Sequence, residues 1–99
     1  MLAYEVTAEV NADLVDRYVA YMRDTHVPDV LATGCFAGAE FAQAGATSFR
    51  TRYLAATPAH VDRYLAQFTH ALRGDFVAHF PAGVTLVRAT WTVIERWPA

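Results

Sequence analysis

The chain has very little cysteine, since Cys35 is the only one among its 99 residues. A single cysteine excludes an internal disulfide and any metal site built from paired cysteines, and it favours a reducing compartment. No apolar run approaches the length of a membrane span, and the alternating start, MLAYEVTAEV, lacks the basic region that opens a secretory signal. We therefore expect a soluble, cytoplasmic protein that does not enter a membrane.

The chain also lacks a strong charge of either sign. Its eight basic residues, all arginine, are scattered among ten acidic ones, for a formal net charge of −2. Nucleic acids and anionic membranes bind clustered positive charge, so neither is expected as a partner. The sequence contains no glycine-rich phosphate loop, no nucleophile elbow and no zinc-type cluster. We accordingly predict no metal and no cofactor.

Strand patterns are what the sequence does contain. The first and last of four stretches alternate between two sets of residues, which is typical of a half-buried strand. The middle two, CFAGAEFA and TSFRTRYLA, are joined by QAGA, a hairpin loop with a glycine where a positive φ is needed. The predicted strands cover residues 2–10, 35–42, 47–55 and 84–95.

A first helix is expected after Asn11, a residue type that caps helix N-termini well. Pro28 disfavours helical geometry at the residue before it, so this helix is expected to stop near Thr25 or His26. Pro28 can then open a short extra turn that Gly34 closes.

A second helix is expected from Thr57 and Pro58, which suit the N-cap and the first helical position. Gly74 is expected to bend or end it, because glycine weakens a helix interior. Its predicted apolar stripe comprises Val61, Leu65, Phe68 and Leu72.

The order strand, helix, strand, strand, helix, strand predicts one α+β domain over residues 1–99. Its fold is ferredoxin-like βαββαβ, a four-stranded antiparallel sheet with both helices on one face. Alternation is interpreted as placing one set of side chains under the helices: Tyr4, Val6, Phe49, Tyr53, Val87, Trp91 and Val93. A second set is assigned to the open face: Glu5, Glu9, Glu40, Arg50, Arg52, Arg88, Thr90 and Thr92.

The open face allows two interpretations. It can be a solvated surface with cross-strand ion pairs, each worth about 1 kcal/mol or less. It can also be a homodimer interface, because a two-fold contact must be self-complementary and three acids against three bases permit that. The predicted dimer face includes Glu5, Arg50, Arg52 and Arg88.

The stretch YMRDTHVPDVLATGCFAGAEF resembles a family of small bacterial proteins known as domain of unknown function 4286. The likeness continues through RYLAAT and HVDRYLAQF, and so covers essentially the whole chain. It implies membership of the dimeric α/β-barrel superfamily, in which two ferredoxin-like sheets pair face to face, and it favours the homodimer. That superfamily includes cofactor-independent monooxygenases, lactone isomerases, haem-handling enzymes and members with no known chemistry, so the fold does not choose a function.

His26 is the candidate catalytic residue, because a histidine near the end of the first helix could exchange a proton near neutral pH. The alternative is that His26 only satisfies terminal carbonyls and complements the helix dipole. The candidate ligand-binding residues are aromatic, and ordinary core packing is the alternative for them. They are Tyr18, Tyr53, Tyr64 and Trp91.

Two functional hypotheses follow, and whether the protein is an enzyme stays open between them. The first is a homodimeric module that binds a small apolar or aromatic ligand, or that has no catalytic role. The second is a cofactor-independent monooxygenase or isomerase acting on a small aromatic or polyketide-like substrate, with His26 as acid and base. A cavity of a few hundred cubic ångströms reached by His26 would favour the enzyme, and a cleft filled by side chains would favour the module.

Overall fold

The computed structural model describes the whole chain, residues 1–99. Four antiparallel strands form one sheet in the order β2-β3-β1-β4, and the helices pack on one of its faces. The strands are β1 (Leu2–Val10), β2 (Gly38–Ala44), β3 (Ser48–Ala55) and β4 (Val84–Thr92). The helices are α1 (Val15–Tyr21), α2 (Val27–Ala32), α3 (Pro58–Gln67) and α4 (Thr69–His79). The predicted ferredoxin-like fold is confirmed. None of these helices has the length and apolar character needed to cross a lipid bilayer.

The first helical region does not stop near His26, so that prediction is wrong. A π-helical segment, Met22–His26, connects α1 directly to α2. The Val27 N–H donates to the carbonyl of Met22, five residues back, which widens the turn just before Pro28. Pro28 has no N–H and its ring would press on a regular α-helical turn, so the wider turn accommodates it without a break. Gly34 follows α2 at φ 76° and ends the helix as predicted.

The second helical region begins as predicted, with Thr57 extended and Pro58 at the first helical position. Its interruption lies at Phe68 and not at Gly74, which corrects the prediction. Phe68 leaves helical geometry at φ −120° while its side chain packs against the core. Gly74 lies inside α4 with open space where a Cβ would be, so no close contact requires glycine at this position.

The faces of β4 are the reverse of the prediction. Thr7 pairs with Val87 and Ala3 with Trp91, so Val87 and Trp91 lie on the open face, 64% and 55% exposed. Arg88 is paired with Val6 and therefore lies on the helix face, as do Thr90 and Thr92. Alternation shows which residues of a strand share a face, but not which face is covered. The strand also ends at Thr92, short of the predicted residue 95, so Val93 lies beyond the sheet.

The core between helices and sheet consists of two clusters of buried side chains. The first cluster contains Tyr4, Val30, Cys35, Phe36, Tyr53, Ala55, Val61 and Tyr64. The second contains Ala8, Val10, Tyr18, Tyr21, Met22, Phe49, Phe76 and Phe80. Residues of both clusters meet around one small cavity.

Candidate functional site

A cavity of about 40 Å³ lies where the two core clusters meet, between the helices and the sheet. Four tyrosines and a histidine form much of its wall: Tyr4, Tyr18, Tyr53, Tyr64 and His26. Such a volume holds a few water molecules, since one water needs at least about 10–15 Å³ measured in this way. The cavity is therefore small, and its mostly aromatic wall carries a few polar atoms.

The sheet and the helices each contribute tyrosines to this wall. Tyr4 on β1 and Tyr53 on β3 are directly opposed in the sheet register, with ring centres 6.2 Å apart. Tyr18 enters from α1, and Tyr64 enters from α3 with its ring 5.8 Å from that of Tyr4. The predicted inward position Leu65 is 41% exposed, because α3 turns the neighbouring Tyr64 toward the sheet instead. The structure thus brings together three of the four predicted ligand-binding side chains, Tyr18, Tyr53 and Tyr64.

His26 closes the π-helical segment and lines the cavity. Its ring lies 5.7 Å from that of Tyr21 and 5.8 Å from that of Phe76. Its Nδ1 atom is buried and has no hydrogen-bond partner. Burial lowers the pKa of His26; the carboxylates of Asp29 and Asp75 partly oppose this shift, and Arg88 adds to it. The imidazole is therefore neutral at pH 7, and one ring nitrogen can accept a proton.

The hydroxyls of Tyr18, Tyr53 and Tyr64 remain protonated at pH 7. Burial raises the pKa of Tyr18 to about 12, and it raises the pKa of Tyr53 and of Tyr64 as well. The Tyr53 side chain is 2% exposed, and its hydroxyl is buried without a partner. The Tyr4 hydroxyl, in contrast, has a hydrogen-bond partner, since it accepts a hydrogen bond from Arg73 at 3.4 Å. Buried polar atoms normally have partners, so the Tyr53 hydroxyl and His26 Nδ1 mark places where a ligand or water can bind.

Behind His26, a polar cluster attaches α4 to the first helical region. The Tyr21 hydroxyl donates to Asp75 Oδ2 at 2.5 Å, and the His79 ring lies 4.4 Å from the Tyr21 ring. Burial and the Asp75 carboxylate raise the pKa of Tyr21. No local sequence pattern indicates this cluster, because its members are 54 or more residues apart along the chain except for Asp75 and His79. No three His, Cys, Asp or Glu side chains converge closely enough to hold a metal ion.

Two arginines, Arg73 on α4 and Arg88 on β4, complete the cavity wall and are exposed to solvent. Sequence reasoning placed Arg88 on the dimer face, and the β4 register corrects that position. Arg73 was not singled out, although a signal existed. Thr69 and Phe76 form the buried side of α4, and Arg73 lies four residues after Thr69 on the same side.

The open face carries charges that are paired within the chain. Arg52 lies 4.0 Å from Glu5, Arg50 lies 3.0 Å from Glu40, and Glu9 accepts hydrogen bonds from Ser48 and Thr47. Since Arg88 lies on the other face, three acids stand against two bases here, which corrects the predicted balance. A shallow hollow of about 530 Å³ extends along this face and includes Arg50 and Val87.

Trp91 is the predicted ligand-binding residue that the structure places elsewhere. It lies on the open face, across the sheet from the tyrosine-lined cavity. The prediction failed because it assigned the largest apolar residue of β4 to the covered side. The residues of β4 that face the helices are Val84, Leu86, Arg88, Thr90 and Thr92.

The model of one protein family, described as Domain of unknown function (DUF4286), matches residues 1–94 of the chain. The chain belongs to that family. This confirms the resemblance drawn from the stretch around His26 and Pro28. No curated protein is detectably similar to this DUF4286 chain in sequence.

Solved structures with similar folds share little sequence with this DUF4286 protein. SnoaB, a cofactor-independent oxygenase from Streptomyces nogalater crystallised as a mutant, superposes with a TM-score of 0.76 at 13% identity, over 99% of this chain and 97% of SnoaB. A putative antibiotic biosynthesis monooxygenase from Deinococcus radiodurans has a TM-score of 0.70 at 16% identity, over 100% and 98% of the two chains. A dimeric ferredoxin-like protein from an uncultured marine organism has a TM-score of 0.73 at 3% identity, covering 100% of both chains. These similarities show the shared fold.

Proposed function

We propose that the protein is a homodimer of single-domain protomers, each of which binds a small molecule in the tyrosine-lined cavity. The observation that carries the proposal is the pair of unpartnered polar atoms in its wall, Tyr53 OH and His26 Nδ1. Leaving a buried donor or acceptor unpaired costs about 1–3 kcal/mol, so a ligand that pairs with them recovers that free energy on binding. A cavity that served only for packing would gain nothing from these groups.

The size of the cavity limits what can bind without rearrangement. At about 40 Å³ it is far below the roughly 300–1,000 Å³ typical of pockets for drug-sized ligands. A flat aromatic ligand therefore requires side chains at the rim to move. Arg73 and Arg88 are exposed, and Leu86 is only half-buried, so these three can be displaced at lower cost than the buried tyrosines. The small volume of the cavity therefore favours the binding module over an enzyme with a large preformed substrate pocket.

The homodimer is proposed from the open face. Val87 and Trp91 expose large apolar side chains there, and burying such side chains stabilises an interface. A structurally similar protein is described as a dimeric ferredoxin-like protein, which supports the same arrangement here. A cytoplasmic location belongs to the proposal, because one buried free cysteine, Cys35, suits a reducing compartment.

A broad small-molecule screen by thermal shift, on the full chain, tests ligand binding. A ligand at a hundred times its dissociation constant should add about 2.7 kcal/mol of stability, which raises the melting temperature by several degrees. Tyr53→Phe should reduce the shift, while Tyr64→Phe serves as a second wall variant whose hydroxyl is not among the unpartnered atoms. A screen with no hits, or hits that Tyr53→Phe leaves unchanged, would count against this site.

A second candidate function is proton transfer by His26 in a cofactor-independent oxygenation or isomerisation. The supporting observation is a neutral imidazole, buried among aromatic rings, with an unpartnered nitrogen in the cavity wall. The similarity to SnoaB supports it at the level of the fold. His26 would remove a proton from a C–H or O–H group of the bound substrate. In an isomerisation it would return that proton to another atom, and in an oxygenation molecular oxygen would be the co-reactant, with one oxygen atom entering the product and the other leaving as water.

His26→Gln separates the two functions. In the binding module, the variant stays folded and still responds to ligands that contact the tyrosines. If the protein is an enzyme, the same variant binds substrate but turns it over at about one hundredth of the wild-type rate or less. Kinetics with a substrate identified from the screen, alongside melting temperatures, distinguish these outcomes.

A further inference from the structure

We propose that the ligand of the tyrosine-lined cavity carries a carboxylate or a similar planar oxyanion, held at the rim by Arg73 and Arg88. This inference rests on the proposed function and specifies the chemical class of the ligand. The negative group would lie beside the two guanidinium groups, and the apolar or aromatic body would extend toward Tyr53 and His26.

These two arginines lack acidic partners within the chain. Neither Arg73 nor Arg88 has a carboxylate within 4.0 Å, whereas three other arginines do: Arg23, Arg50 and Arg52. Arg88 makes no hydrogen bond, ion pair or cation–π contact within the chain. Arg73 has a single weak contact, to the Tyr4 hydroxyl at 3.4 Å. Both cations are therefore available to an external anion.

The two positive charges converge on the same cavity. Both residues line it, although they come from α4 and from the edge strand β4. Both also act on Tyr64, whose pKa each of them lowers slightly against the larger effect of burial. Charges from separate elements that act on one buried hydroxyl produce a positive region at one rim of the cavity.

Nearby acids do not cancel this positive region. Asp29 and Asp75 influence His26, but neither lines the cavity. Asp75 is already bound by the Tyr21 hydroxyl at 2.5 Å, and its Oδ2 lies 3.7 Å from His79 Nδ1. The cavity wall itself therefore contains two cationic side chains and no carboxylate.

The chemistry of the rim and of the interior suits a ligand with one anionic end. A guanidinium group donates parallel hydrogen bonds in a fork that matches the two oxygens of a carboxylate. The protonated hydroxyl of Tyr53 and the neutral ring of His26 suit the polar atoms of a ligand body instead of a second full charge. The arrangement thus separates an anion-binding rim from a neutral interior.

Matched acid and amide probes test the inference, because they differ in charge but hardly in shape. We would titrate the full-length protein with acetate against acetamide, which fit with little rearrangement, and with benzoate against benzamide. Binding would be followed by amide chemical-shift changes at constant ionic strength. The acid of each pair should bind about tenfold or more tightly than its amide, the scale of a hydrogen bond to a charged group.

Two variants assign this preference to the rim. Arg73→Gln and Arg88→Gln should each weaken binding of the acids by about tenfold and leave the amides unchanged. Arg63→Gln is the matched control, since it makes the same charge change on α3 at a residue that lies over Phe68, outside the cavity wall. It should leave all four affinities as they are.

The outcomes distinguish this inference from the function on which it rests. Equal affinity for acid and amide, or an acid preference that survives in both rim variants, overturns the anion proposal while ligand binding stands. Absence of binding by every probe, together with neutral hits in the thermal screen, also overturns it. Absence of binding in both experiments overturns the proposed function as well.

Discussion

The open face of β4 is largely apolar, whereas the open face of β1 and β3 is charged. On β1 and β3 the helix face carries the large apolar and aromatic residues, such as Tyr4 and Phe49, and the open face carries charges. On β4 the open face carries Val87 and Trp91, and the helix face carries Arg88. The edge strand therefore presents apolar surface to the exterior and a cation to the interior cavity.

The difference shows that the side of a strand that faces the helices need not carry its largest apolar side chains. A strand that lies against helices in a single chain can still have its larger apolar surface on the other face when a second copy covers that face. Arg88 is then free to serve the cavity. The apolar open face of β4 provides the proposed dimer interface, and Arg88 on its helix face contributes to the proposed anion-binding rim.

The largest expected effect is on the helix face. Phe49→Ala should lower the free energy of unfolding by about 3–5 kcal/mol, because a buried ring with aromatic neighbours at 5.1 and 5.7 Å leaves a cavity behind. Denaturant titration measures the loss. Trp91→Ala removes a larger ring from the open face and should change mainly how stability depends on protein concentration. Similar, concentration-independent losses in both variants would abolish the contrast between the faces.

The next effect concerns the proposed dimer. Reversing both open-face bases, Arg50→Glu with Arg52→Glu, leaves five acids and no base on each copy of that face. The dimer dissociation constant should rise by roughly a hundredfold or more, since like charges facing each other cost several kcal/mol. Light scattering over a dilution series measures the change. The control makes the same charge change elsewhere, at Arg23 and Arg63, and a dimer unaffected by the first reversal would exclude this face as the interface.

A smaller effect is expected from pH through His26. Its pKa is lowered in the folded state, so the unfolded chain takes up the proton more readily as the pH falls below about 6.5. The free energy of unfolding is therefore unaffected by His26 protonation above about pH 7. It decreases toward pH 5, by at most about 1.4 kcal/mol per pH unit for one group. His26→Gln should flatten that decrease in denaturant titrations between pH 5 and 8. His70→Gln, an exposed histidine outside the cavity, controls for the exchange itself, and an equal slope in His26→Gln and the wild type would remove His26 from the site's proton chemistry.

The smallest effect is expected from Tyr53→Phe. The variant removes a hydroxyl without a partner, so stability should stay the same or rise by up to about 1 kcal/mol. Tyr21→Phe is the comparison, because it breaks the bond to Asp75 and should cost about 1–3 kcal/mol. Thermal melts of the two variants give the ranking. A clear loss of stability in Tyr53→Phe would mean that the hydroxyl is already paired, for example with ordered water.

The strands and the hairpin were predictable because their signals are local. Alternation over residues 2–10 and 47–55 matches β1 and β3 within a residue, and Gly45 has the positive φ that the hairpin needs. Tyr18, Tyr53 and Tyr64 line one cavity, and whether they bind a ligand stays a prediction. Helical spacing and strand alternation determine which residues lie on one side of an element, and these residues follow that rule.

The rest depends on contacts between distant parts of the chain. The inward side of β4 depends on what covers each face, and the position of Arg73 depends on an interruption at Phe68 that no glycine or proline marks. Propensity favours Gly74 as the breaking point, yet packing of the Phe68 ring decides it. The orphaned hydroxyl of Tyr53 is likewise a property of its surroundings and not of its local sequence.

The π-helical segment has a geometric consequence for the row of inward-facing residues Tyr18, Met22, His26 and Val30, which are spaced four apart. In an α-helix each residue turns about 100°, so every step of four overshoots a full turn by about 40°. Three such steps would rotate the last residue about 120° from the first, a third of the way round the helix. The wider turn at Met22–His26 rotates less per residue and cancels part of this drift. As a result Tyr18, Met22 and Val30 are all buried, and His26 lies in line between them, facing the junction of the two core clusters.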